Sequence, residues 1–157
     1  MLAFFACIVI GYLLGCFSTG LLLSGREGVD IRKEGSKSTG ATNVTRVMGI
    51  RHGALTFLGD SLKGLVSVLI GSLLMGRNGA ILAGLFTVIG HNWPVFYQFK
   101  GGKGIASSCG ILLYLFPVEA LGAIALAIAV IFLLRYVSVG SLVLLSAVAL
   151  QSAFTRP

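Results

Sequence analysis

The chain has 157 residues and a formal net charge of +7, yet 56% of its residues are hydrophobic, 11% are charged and mean hydropathy is +0.97. Soluble domains carry about 25% charged residues, so this composition excludes an ordinary water-soluble globule and points to lipid as the main solvent. The basic residues lie in short gaps between apolar runs instead of forming a stripe, which argues against nucleic acid and for topology control and anionic ligands.

Residues Met1 to Gly25 carry no side-chain charge and form the first predicted span. No basic residue precedes Arg26 and the apolar run is too long for a signal-peptide core, so this span is read as retained. Gly11 and Gly15 share one helical face at a spacing that lets two helices approach closely. The only long hydrophilic stretch follows, Arg26 to about Arg51, with six basic residues. A second span is predicted near His52 to Met75, interrupted by Asp60 and Lys63. A turn at Gly76–Gly79 leads to a third, roughly Ala80 to Phe96. Gly104 to Leu134 has Glu119 as its only charge; as a single helix its 31 residues would measure about 46 Å, against a hydrocarbon core of about 30 Å. Pro117, Val118 and Glu119 therefore predict a hairpin of two short helices. A loop at Arg135–Ser138 precedes a last span from Gly140 to Thr155.

The expectation is an all-α polytopic membrane bundle, residues 1–157 as one integral-membrane domain of about six spans. With the N-terminus outside, Arg26, Arg32, Lys33, Lys37, Lys100, Lys103 and Arg135 fall on the cytoplasmic side, and Arg77 and Arg156 outside, as the positive-inside bias requires. Cys7, Cys16 and Cys109 have neither metal nor disulfide spacing and read as small packing residues.

Two polar motifs stand at the predicted cytoplasmic edge. Gly35-Ser36-Lys37-Ser38-Thr39-Gly40-Ala41-Thr42-Asn43-Val44-Thr45-Arg46 concentrates hydroxyls, an amide, glycines and two cations. Backbone amides in glycine-containing turns bind anions, and an arginine holds phosphate with two parallel hydrogen bonds. A plain polar loop bearing topology charges fits the same residues. Gly90-His91-Asn92-Trp93-Pro94-Val95-Phe96-Tyr97-Gln98-Phe99-Lys100-Gly101-Gly102-Lys103-Gly104-Ile105-Ala106-Ser107 is the second. Its glycines leave room for a ligand to meet backbone, and a helix starting near Gly104 would aim its positive end there. It is not a Walker A loop, because Lys103 precedes Gly104 and not a hydroxyl residue. His91, Trp93 and Tyr97 fit either site residues or interfacial anchors.

Together the motifs resemble those of the bacterial integral-membrane acyl-phosphate:glycerol-3-phosphate acyltransferases, whose pattern reads GS-x-N-x-GATN-x-x-R and then GH-x-x-P-x-F-x-x-FKGGKG-V-A-T. Gly35, Ser36, Gly40 to Asn43 and Arg46 fit the first part; Gly90, His91, Pro94, Phe96 and Phe99 to Gly104 fit the second. Ser38, Ile105 and Ser107 depart from it. The His and Asp separated by four residues in many thioester-dependent acyltransferases are absent, since Phe57 and Phe96 stand where the Asp would be. Family members continue to a third cytoplasmic motif with His, Asn and Arg, so the resemblance implies an incomplete member.

The resemblance implies that the 1-hydroxyl of glycerol-3-phosphate attacks a fatty acyl phosphate, giving lysophosphatidate and phosphate at the bacterial inner membrane. The donor is already activated, so positioning and charge stabilisation suffice, with no metal, nucleotide or other cofactor. Ser36, Arg46, Lys103 and His91 are the expected catalytic set, His91 as base or as structural hydrogen-bonding residue. Gly35, Gly40, Thr42, Asn43, Lys100, Gly101, Gly102, Gly104, Ser107, Ser138 and Ser141 are the expected phosphate-binding set. Asp60 and Lys63, three apart within a span, are expected to neutralise each other and support the first motif. A small transporter or a non-catalytic membrane subunit is the alternative, although polar residues clustered at one edge do not line a path across the bilayer.

Overall fold

The computed structural model describes residues 1–155, which form seven α-helices and one 3₁₀ turn. Two compact units divide the chain, residues 1–111 and residues from 112 onward. The stretches long and apolar enough to cross a membrane are Leu2–Arg26, Ile50–Tyr97 and Pro117–Leu134.

The first stretch is not one helix. α1 (Leu2–Cys16) ends at Phe17, whose backbone is extended, and α2 (Thr19–Arg26) starts afresh. Ser18 caps α2 by accepting a hydrogen bond from the Leu21 amide. The polar stretch holds a short helix, α3 (Ala41–Met48). α4 (Ile50–Asn92) reverses direction at Met75 and Gly76, so the two predicted spans are the arms of one antiparallel hairpin. Gly76 has φ 59° and ψ −147°, a conformation essentially restricted to glycine. The arms meet closely: a Cβ on Gly71 would strike the Gly79 carbonyl, and the Ser67 hydroxyl donates to the Ala83 carbonyl at 3.1 Å.

α1 packs on the second arm through the predicted glycine face. A Cβ at Gly11 would run into the Ala83 backbone, and one at Gly15 into Thr87 and Gly90. The Thr87 hydroxyl sits in this seam, 3.1 Å from the Gly11 carbonyl and also beside Ser67. In lipid there is little hydrophobic drive between helices, so close backbone approach and buried hydrogen bonds supply the adhesion. Cys7, Cys16 and Cys109 are free and buried, as packing residues should be.

The second arm stops at Asn92, short of the predicted Phe96, because Pro94 lacks an amide hydrogen and restricts Trp93. A 3₁₀ turn at Val95–Tyr97 follows. α5 (Ile105–Leu115) and α6 (Pro117–Leu134) are separated at Phe116, with Pro117 in the first turn of α6. Their lengths are unequal: α6 is long enough to cross a membrane, whereas α5, at about 16 Å, is not.

Within the second unit α6 packs on α7 (Val137–Thr155) along small residues. Ala123 and Ala127 are buried, and a Cβ on Gly140 would meet Ile131 and the Ala127 carbonyl. Leu121, Ile128, Phe132 and Leu133 remain exposed, the outward apolar surface that lipid solvates.

Gly15→Val is expected to destabilise the protein by about 1–3 kcal/mol, the usual cost of overpacking. Gly25→Ala should be silent by comparison, since nothing lies within 4 Å of its added methyl. Thermal unfolding in detergent measures both; equal midpoints would disprove the tight α1 seam.

Candidate active site

The site is organised from the break in the first stretch. Asp60 and Lys63 lie one turn apart on the first arm of α4, and both are buried. Their charges face each other at 3.2 Å. The Lys63 ammonium donates to the Gly15 carbonyl at 3.0 Å, to the Phe17 carbonyl, and lies 2.7 Å from His91 Nδ1. Asp60 Oδ1 accepts from the Thr19 amide at 3.4 Å. A cation thus meets the carbonyl end of α1 and an anion the amide end of α2, the arrangement that orphaned backbone groups and helix dipoles favour. The two side chains are thus paired. The pair's hydrogen bonds, however, go to the broken span and to the second motif, not to the first.

The first motif is reached through α2, where a Cβ on Gly20 would collide with the Thr39 carbonyl. Its organiser is Asn43, which is buried. Asn43 Nδ2 serves the carbonyls of Ile31 (3.2 Å), Glu34 (3.0 Å) and Ser38 (2.9 Å), while Oδ1 accepts from the Ser36 amide at 2.7 Å. Two amide hydrogens for three carbonyls leave none for a substrate. The expectation of Asn43 as a phosphate ligand is corrected: it folds the loop. Gly35 is required because its φ is +56° and a Cβ would strike Asn43 Oδ1. Gly40 caps α3 with open surroundings, and Ser36, Thr42 and Arg46 are exposed. Ahead of them Arg32 pairs with Asp30 at 3.0 Å. The Arg32 hydrogen bond holds the Asp30 carboxyl below the ordinary carboxylate range.

In the second motif His91 is buried while Trp93, Phe96 and Phe99 are exposed. The aromatic residues suit interfacial anchoring; His91 does not. Tyr97 is half-buried and borders a groove of about 380 Å³ shared with Leu21, Ser24, Val29, Asp30 and Arg32. Tyr12 Oη donates to the Trp93 carbonyl at 2.9 Å. The glycines serve a purpose the sequence reading missed. A Cβ on Gly101 would meet the His91 and Asn92 carbonyls, and one on Gly102 the His91 ring. The space they free is filled by the protein itself, and the Gly102 amide donates to the His91 carbonyl at 3.1 Å. Gly104, with φ +77°, turns the chain into α5. The first amides of α5 then point back at the loop, as at any helix start. Lys100 and Lys103 are exposed.

Ser107 does not join the exposed set. It is fully buried, and its backbone blocks any Cβ on Gly64. Ser138 and Ser141 belong to the second unit; Ser141 donates to the Val137 carbonyl at 2.9 Å, and Ser138 is exposed. Polar contacts absent from the sequence reading are Ser61 to the Ala106 carbonyl at 2.9 Å, which ties α4 to α5, and the Ser67–Thr87 pair. The broken first span did have a signal, Ser18-Thr19 inside an uncharged run.

Comparison with known proteins gives the family and the fold. Residues 5–156 match the family described as glycerol-3-phosphate acyltransferase. The chain is 48% identical over 135 residues to the glycerol-3-phosphate acyltransferase of Thermoanaerobacter pseudethanolicus, covering 85% of this chain and 68% of that protein. It is 43% identical over 136 residues to that of Alkaliphilus metalliredigens, covering 86% and 70%. Its fold is similar to a crystal structure of PlsY (YgiH), an integral membrane glycerol 3-phosphate acyltransferase, in the glycerol 3-phosphate form. The TM-score is 0.92 at 35% identity, over 97% of this chain and 77% of that one. The lysophosphatidic acid form gives a TM-score of 0.83 at 37% identity, over 92% and 73%.

Asn43→Leu should strand three carbonyls and the Ser36 amide and cost at least about 2 kcal/mol. Asn43→Asp should not rescue it, because a carboxylate has no hydrogens for carbonyls. Thermal unfolding of both variants tests this, and unchanged stability would show that the loop is held otherwise. Because the Asp30 pKa is lowered on folding, its contribution is full above the ordinary carboxylate range and fades as pH falls through the depressed value. Asp30→Asn should flatten that acid-side loss of loop protection in hydrogen exchange.

Proposed function

The chain belongs to the membrane-bound, acyl-phosphate-dependent glycerol-3-phosphate acyltransferases, and from that premise we propose that its two polar motifs bind the two phosphate substrates. The reaction transfers a fatty acyl group from acyl phosphate to glycerol-3-phosphate and forms lysophosphatidate in a bacterial membrane that the protein crosses several times. The bond from the 1-oxygen of glycerol to the acyl carbon forms and the bond from that carbon to phosphate oxygen breaks. The hydroxyl proton leaves with phosphate as hydrogen phosphate.

One observation carries the site assignment. Among the described residues Arg32, Lys33 and Lys63 have ion-pair partners, whereas Arg46, Lys100 and Lys103, like Lys37, have none and stand exposed on the two motifs. Two phosphate anions need such uncommitted cations. Arg46 binds one phosphate in two-pronged fashion, with the Ser36 and Thr42 hydroxyls supplying further donors, while the Gly40 amide already donates to Ser38 Oγ at 3.3 Å. Lys103 stabilises charge on the acyl phosphate beside the first amides of α5, and Lys100 draws anions to the edge. Gly35, Gly101, Gly102 and Gly104 act by shaping these loops. Preorganised donors around a developing oxyanion are the principal source of rate here.

We further read about six membrane passes: α1 with α2, the two arms of α4, then α5, whose short helix crosses only together with its flanking non-helical residues, α6 and α7. The N-terminus lies outside and both motifs are cytoplasmic. Support comes from the α4 hairpin, which brings His91 back to Lys63, and from the basic residues gathered between Arg26 and Arg51 and at Lys100 and Lys103.

Arg46→Ala and Lys103→Ala should each cost at least about 2 kcal/mol of transition-state stabilisation, read as kcat/KM for lysophosphatidate formation. Arg46→Lys should also be poor, because an ammonium cannot make the forked contact. Near-normal turnover of the folded variants would remove these residues from the site. For orientation, a membrane-impermeant thiol reagent applied to intact cells should label Asn78→Cys and leave Lys37→Cys and Gln98→Cys untouched; the opposite pattern would invert the topology.

A further inference from the structure

We infer that His91 is a positioning residue and not the reaction's base: Lys63 fixes its ring in one tautomer, and the ring braces the glycine-rich loop. The argument starts from the hydrogens of Lys63. An ammonium has three, and it has no lone pair. Two acceptors at the end of α1, the Gly15 carbonyl at 3.0 Å and the Phe17 carbonyl, cannot donate in return. Two more groups lie within hydrogen-bond distance, His91 Nδ1 at 2.7 Å and Asp60 Oδ1 at 3.2 Å, so four acceptors share three hydrogens. A protonated Nδ1 so close to the ammonium would find no lone pair to donate to. Asp60, 3.2 Å away and fully buried, balances the charge. Nδ1 therefore accepts, and the single proton of the neutral ring sits on Nε2.

Nε2 in turn faces Gly102. It is the first atom that a Cβ there would meet, followed by ring carbons at 3.0 and 3.1 Å. The loop answers with its own bond, Gly102 amide to His91 carbonyl at 3.1 Å. The imidazole is thus a flat spacer between an intramembrane cation and the Gly101–Lys103 backbone. A general base needs a free lone pair within hydrogen-bond reach of the proton it takes. The Nδ1 lone pair is held by Lys63, and Nε2 has none. Any change at Lys63 reaches Lys103 through the ring and the glycines, which makes Lys63 a positioning residue as well.

The activity part of this inference rests on the acyltransferase reading; the tautomer part does not. His52, one of two histidines in the chain, lies outside the site, its Nδ1 at 3.1 Å from the Met48 carbonyl. His52→Gln therefore leaves His91 as the sole imidazole signal. In ¹⁵N NMR of that variant in lipid nanodiscs, Nδ1 should resonate as an unprotonated nitrogen and Nε2 as a protonated one. Adding Lys63→Met should abolish this single-tautomer signature. A protonated Nδ1, or a signature unchanged by Lys63→Met, overturns the proposal. For turnover, His91→Gln offers Lys63 an acceptor and the loop a donor but no base. It should keep kcat within about tenfold of the parent, whereas loss of a general base costs about 10²–10⁴-fold. A loss of that larger size in a His91→Gln protein that remains folded would restore His91 as base. If the parent protein makes no lysophosphatidate, the acyltransferase reading falls, and the NMR result still decides the tautomer.

Discussion

Everything at the polar edge depends on one ammonium group buried where a helix is interrupted. A break in a membrane span leaves carbonyls on one side and amides on the other with no water to satisfy them. Here Lys63 takes the carbonyls of Gly15 and Phe17, and Asp60 takes the Thr19 amide. Neither charge is tolerable alone in such surroundings, and neither break end is tolerable uncapped. The ion pair and the broken span thus stabilise each other. Removing one would expose the other.

From that junction two separate routes reach the two polar motifs. One runs along α2 to Thr39 and the first motif, whose shape then depends on Asn43. The other runs through His91 into Gly101 and Gly102. The exposed cations Arg46 and Lys103 sit at the far ends of these routes. In the proposed assignment, reaction partners carrying several negative charges would meet exposed cations mounted on loops that the fold holds in place. Such mounting matters because catalysis of an already activated acyl donor rests on placement and charge stabilisation.

The glycines illustrate how function and packing can leave the same trace in a sequence. Gly11, Gly15, Gly71 and Gly79 are where helix backbones touch, as their spacing and the lipid solvent suggested. Gly101 and Gly102 looked like room for a ligand, yet the atoms filling that room are those of His91 and Asn92. Likewise Asn43 is a polar residue in a motif that resembles a phosphate site, and its amide is spent on loop carbonyls. A one-dimensional string cannot distinguish a polar group presented to a substrate from one spent on the protein's own backbone.

Local chemistry alone determined the all-helical membrane character, the places where apolar runs stop and the two polar motifs. Each follows from composition, run length, proline and glycine positions, and charge distribution, all of which act over a few consecutive residues. Tertiary structure decided that the Ser18-Thr19 signal becomes a break at Phe17, and it alone decided that Lys63 lies against residues 48 and 28 positions distant and that His91 faces Lys63 with one nitrogen and Gly102 with the other. The physical reason is that buried hydrogen bonds must be completed by whichever group the packing brings near. That partner is set by how the α4 hairpin returns along α1, a long-range fact that no window of sequence contains.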